Sequence, residues 1–121
     1  MSITAKENGR RIWSKTFLEI YSGLSVEDRY KYLVTGLEDA GFEKVDYVPT
    51  TPLNRVTDLK LESVQVRLYL VELNKDHVIC YRVGLVDSFE SEDTDTIFEL
   101  SLNMIWDDVR RFWKLKNSGI L

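Results

Sequence analysis

VQVRLYLVEL (Val64–Leu73) and HVICYRVGLV (His77–Val86), three residues apart, decide the fold of this chain. Both runs are rich in β-branched and aromatic residues and alternate apolar with polar, the period of a half-buried strand. A two- or four-residue loop around Asn74-Lys75 sets Leu70 against Ile79, Leu68 against Tyr81 and Val66 against Val83. These six apolar side chains then lie on one face, whereas a one-residue slip would turn Arg67 and Arg82 into the core. The same logic carried upstream makes Arg55–Glu62 a third strand, with Leu61 opposite Val66 and Leu59 opposite Leu68. Lys44–Val48 reads as a short fourth strand, stopped by Pro49-Thr-Thr-Pro52.

Helical spacing flanks this meander on both sides. Trp13, Phe17, Ile20, Tyr21 and Leu24 recur at three- and four-residue steps after Gly9, and Gly23 ends that helix. Ser25-Val-Glu-Asp28 is an N-cap with an acidic first turn. The helix that follows carries Val26, Tyr30, Leu33, Leu37 and Ala40 on one stripe, and Gly41 stands at its C-terminal cap. A last helix is expected from about Thr94 to Lys116, with Phe98, Leu102, Ile105, Trp106, Val109, Phe112 and Trp113 on its stripe. Thr96–Leu102 fits a strand equally well, because Ile97, Phe98, Leu100 and Leu102 do not keep to one helical face. The expectation is one α+β domain over residues 1–121: an antiparallel sheet of about four strands packed by two N-terminal helices and one long C-terminal helix.

Composition narrows the classes of function. With 121 residues, 44% of them apolar, the chain suffices for one core. A net charge of −4 opposes general nucleic-acid binding, which rests on Lys and Arg neutralising phosphates. No apolar run is long enough to span a membrane, and the first residues lack the pattern of a signal peptide, so a cytoplasmic home is expected. The single Cys80 suits a reducing compartment. His77 and Cys80 leave opposite faces of one strand, so they do not form a nucleophilic pair, and one His with one Cys builds no ordinary zinc site. No phosphate loop, dinucleotide fingerprint or nucleophile elbow occurs. The expectation is therefore no cofactor, no metal and no catalytic set.

Charge is unevenly distributed. Residues 1–82 balance, 83–109 hold eight acidic residues and no Lys or Arg, and 110–121 hold four basic residues and no acidic one. A helix dipole accounts for acids before the last helix and bases at its end. It does not account for Asp87, Glu90, Glu92, Asp93 and Asp95 gathered around Phe89, which form a candidate docking loop for a basic protein, with Phe89 as its apolar anchor. Leu100, Met104 and Leu115 lie beside the main stripe of the last helix and suggest a homodimer or partner face. On the polar sheet face the expected register places Lys60, Arg67 and Arg82 side by side, with Asp58, Tyr69 and Cys80 in the next row. Adjacent like charges need a nearby anion, either a carboxylate of the chain or a ligand such as a phosphate or nucleotide. The leading expectation is a small interaction protein, an adaptor or inhibitor, that docks through the acidic loop and the apolar helix face. A binder or enzyme for a small anionic ligand is the alternative.

Overall fold

The computed structural model describes residues 4–7, 10–45, 55–89 and 98–117. Two sheets and three helices make an α+β domain. Strands β1 (Thr4–Glu7) and β2 (Arg10–Trp13) form an antiparallel hairpin. Helices α1 (Lys15–Ser22) and α2 (Val26–Asp39) follow. The main sheet runs in the order β3-β4-β5-β6-β7, all antiparallel: β3 (Glu43–Val45), β4 (Arg55–Leu61), β5 (Val64–Leu73), β6 (Asp76–Leu85) and β7 (Phe98–Glu99). A short 3-10 helix, Val86–Phe89, continues from β6, and α3 (Leu102–Asn117) ends the fold.

The β5–β6 register is the expected one: Leu70 pairs with Ile79, Leu68 with Tyr81 and Val66 with Val83. Its two-residue turn holds Asn74 at φ 51° and Lys75 at φ 71°, the left-handed pair whose twist matches the strands. The β4–β5 register differs by two residues. Leu61 pairs with Val64 and Leu59 with Val66, because the turn is only Glu62-Ser63, with Glu62 at φ 56°. An even shift preserves the faces and changes the partners.

Helix α2 starts where expected, Ser25 Oγ accepting from the Asp28 amide, and Gly41 takes φ 108° just beyond its end. Two other helix starts are corrected. Trp13 ends a strand, and α1 begins only after Ser14, whose Oγ caps the Phe17 amide at 3.1 Å. The last helix starts at Leu102, and Phe98–Glu99 pairs with Tyr81 and Cys80 as an edge strand. The expected Asp46–Val48 extension, the Pro49–Pro52 turn and the start at Thr94 lie outside the described residues.

Helices α2 and α3 cover one face of the main sheet, and α1 packs beside α2. Leu59, Val64, Val66, Leu68 and Tyr81 are fully enclosed there with Leu33, Leu37, Ile105 and Val109. Trp13 stacks on Phe17 at 4.7 Å and meets Trp106 at 4.8 Å, and its indole N–H donates to the Leu102 carbonyl at 2.7 Å. This joins β2 and α1 to α3. Arg29 of α2 donates to the Tyr21 and Ser22 carbonyls, satisfying the end of α1. Among the described residues, no helix is long and apolar enough to cross a membrane.

Candidate functional site

The face of the sheet turned away from α2 and α3 holds the buried polar and charged side chains of the described residues. Asp58, Arg67 and Arg82 stand in one row across β4, β5 and β6. Asp58 is 2% exposed, Gln65 5%, Arg67 8% and Arg82 9%, although among the described residues no α-helix packs on them. Asp58 Oδ1 accepts from Arg67 Nε at 2.7 Å, and Oδ2 accepts from Arg67 Nη2 and from Gln65 Nε2, each at 2.8 Å. This is a forked, charge-assisted pair whose carboxylate is further satisfied by an amide, the geometry that makes a buried ion pair tolerable. The Asp58 hydrogen bonds hold the Arg67 guanidinium even more firmly protonated than usual.

Above the row lies Phe89, carried back over the sheet by the 3-10 helix. Its ring centroid is 5.1 Å from the Arg67 Cζ and 4.3 Å from the Arg82 Cζ. Two guanidinium groups thus share one aromatic ring, each contact worth roughly 0.5–2 kcal/mol depending on desolvation. The adjacent Asp87 is exposed.

Arg67 and Arg82 are neighbours, as the sequence implied. Lys60 is not their companion: the two-residue change of register puts it opposite Gln65 and Glu43, exposed, and places Asp58 beside Arg67. The anion demanded by the arginines is thus supplied, at least for Arg67, by the chain itself. Phe89 is half-buried against arginines and is not an outward anchor. Glu90, Glu92, Asp93 and Asp95 lie outside the described residues. Gln65 escaped the sequence reading, although strand alternation already put it on this face.

The Asp58 carboxylate is engaged within the cluster itself. Both Asp58 oxygens already accept from firm donors, so neither is poised as a base. Cys80, in the next register row beside Tyr69, has its thiol pKa raised by burial and by Glu99, which lowers the reactive thiolate fraction. Among the described residues no three His, Cys, Asp or Glu side chains converge as metal ligands. His77 stands opposite Glu72 at the hairpin end.

The expected helix face is much reduced. Trp106 is buried, Trp113 packs 6.4 Å from Phe42, and Leu100 is partly buried against the core. Met104, 49% exposed, remains on α3, while Ile20 is exposed on α1; nothing is described of the Leu115 side chain. No protein-family model, curated protein or solved structure matches the chain.

Proposed function

We propose that the protein is a small cytoplasmic interaction module, an adaptor or inhibitor, that docks on a basic partner protein through the acidic segment beginning at Asp87. The observation that carries this reading is the Arg67–Phe89–Arg82 sandwich at the root of that segment. It fixes where the chain leaves the sheet, and the next carboxylates, Glu90, Glu92, Asp93 and Asp95, follow within six residues. A rigid root lowers the ordering cost of docking, and a segment without Lys or Arg steers a basic surface towards it. Phe89 serves here as the internal fastener of the segment. Exposed Met104 supplies a secondary apolar contact, for the partner or for a second copy of the chain.

The test is capture from lysate of the source cell at low and high salt, followed by titration of the purified partner. Reversing Glu90, Glu92 and Asp93 to Lys should weaken binding at least tenfold and flatten its salt dependence, with thermal unfolding unchanged. Equal affinity of the triple variant and the parent would remove the acidic segment from the interface. The alternative anionic-ligand reading of Lys60, Arg67 and Arg82 has weaker support, since Arg67 is committed to Asp58 and Lys60 lies in another row.

A further inference from the structure

On its helix-covered side the sheet is apolar through β5 and β6 and at Leu59 and Leu61 of β4, but two positions of β3 and β4 are polar. Lys44 stands opposite Leu59 and Thr57 opposite Leu68, so both occupy helix-facing positions where the pattern elsewhere demands apolar residues. Helix α2 answers with Tyr30, Lys31, Thr35 and Glu38, one side of a cleft of about 280 Å3 whose remaining lining is Val34, Lys44 and Thr57. That volume is near the lower limit for small-molecule sites.

The polar groups are graded from floor to rim. Tyr30, 5% exposed, shares a 2.6 Å hydrogen bond with Thr57 Oγ1 and donates to the Leu68 carbonyl at 3.3 Å. With that proton committed, Thr57 donates to Tyr30, and each hydroxyl oxygen keeps acceptor capacity. At the rim Lys31 and Thr35 are exposed, and Lys31 makes no salt bridge among the described residues. Lys44 has only a loose contact with Glu38, 3.9 Å apart with both side chains about half exposed. Such a pair is worth at most about 1 kcal/mol and yields readily to a stronger anion. An inward lysine on a short edge strand also discourages edge-to-edge pairing, but that accounts for Lys44 alone. It does not explain a second lysine and a row of hydroxyl groups lining the same cleft.

We propose that this cleft binds a small phosphomonoester, with the phosphate between Lys31 and Lys44 and its hydroxylated body against Thr35, Thr57 and Tyr30. The site lies on the opposite side of the sheet from the Arg67–Arg82 row and is independent of the docking reading.

The experiment is an amide chemical-shift titration of the full chain with glycerol phosphate at constant ionic strength, with glycerol, inorganic phosphate and sodium chloride as comparison arms. Saturable shifts at Lys31, Thr35, Lys44 and Thr57 are expected with glycerol phosphate, weaker ones with inorganic phosphate, and none with glycerol or chloride. Lys31→Gln with Lys44→Gln should weaken binding at least tenfold, whereas Glu38→Gln, which frees Lys44 and removes a like charge, should strengthen it several-fold. Both variants alter exposed side chains, and an unchanged amide spectrum elsewhere confirms the fold. Shifts that fail to saturate, equal shifts with chloride, or affinities indifferent to both variants would overturn the proposal.

Discussion

Replacing Asp58 by Ala tests the physical account of the sheet cluster most directly. The carboxylate is 2% exposed and accepts three hydrogen bonds, two from Arg67 and one from Gln65. Its removal leaves Arg67, 8% exposed, without its carboxylate, and opposite Arg82 in the adjoining strand. Breaking one side of a buried ion pair costs about 3–5 kcal/mol, because the surviving charge stays desolvated. A domain of this size has roughly 5–15 kcal/mol in total, so the variant should remain folded with a much reduced margin. With a urea m-value of about 2 kcal/mol/M, the midpoint should fall by about 2 M. A second variant, Asp58→Leu with Arg67→Met, removes both charges and should be more stable than Asp58→Ala alone, despite carrying one more substitution. Equilibrium urea unfolding followed by circular dichroism reads both. A loss below about 1 kcal/mol for Asp58→Ala, the range of exposed pairs, would mean that water already solvates the row and that the burial argument is wrong.

Three further outcomes follow from separate parts of the fold. Gly36→Ala should lower the melting temperature although Ala favours helix by about 1 kcal/mol, because its Cβ would stand 2.7 Å from Phe17 Cε2 inside the aromatic stack. Lys75→Gly should stabilise by about 0.5–1 kcal/mol in thermal unfolding, since φ 71° strains a residue with a Cβ. Tyr81 is fully buried and donates to Asp108 at 3.1 Å; burial first, then the Asp108 charge, pushes its phenol up to about 12 from 10.0. Its contribution is complete below pH 10 and is lost as pH rises through 12, so Tyr81→Phe should flatten the alkaline loss of stability over that window.

The sheet was more legible than its ends. Alternation in Val64–Leu73 and His77–Val86 fixed which residues face the core, and that parity survives even where the partners were misjudged. What alternation cannot count is the length of a turn. Glu62-Ser63 shifts β4 by two residues, exchanging Lys60 for Asp58 beside Arg67 and converting an expected cationic row into a largely internal ion pair. Trp13 fitted the helical spacing of Phe17, Ile20 and Tyr21, so β2 was absorbed into α1. Ser14 as a capping residue was the local signal that could have divided them. The last helix carried its own warning, the two-sided apolar pattern of Ile97–Leu102, and of the two readings open there the strand is the one found at Phe98–Glu99. The cleft between α2 and β4 was illegible for a different reason. Lys44 and Thr57 are ordinary polar residues near the ends of their strands, and only the pairing of β3 with β4 brings them to one wall.

The contact of Trp13 with Leu102 and Trp106 also has a kinetic side. The meander β4–β5–β6 joins neighbours along the chain through two tight turns, whereas the Trp13 indole finds its acceptor 89 residues away. Closing so long a loop is worthwhile only after the intervening strands have collapsed. The meander should therefore organise first and the tryptophan junction last, so that Trp13→Phe accelerates unfolding and barely alters the refolding rate. During synthesis on the ribosome, the Trp13 ring would lack its cover from Trp106 until α3 emerges, an interval in which a holding chaperone has an aromatic surface to recognise.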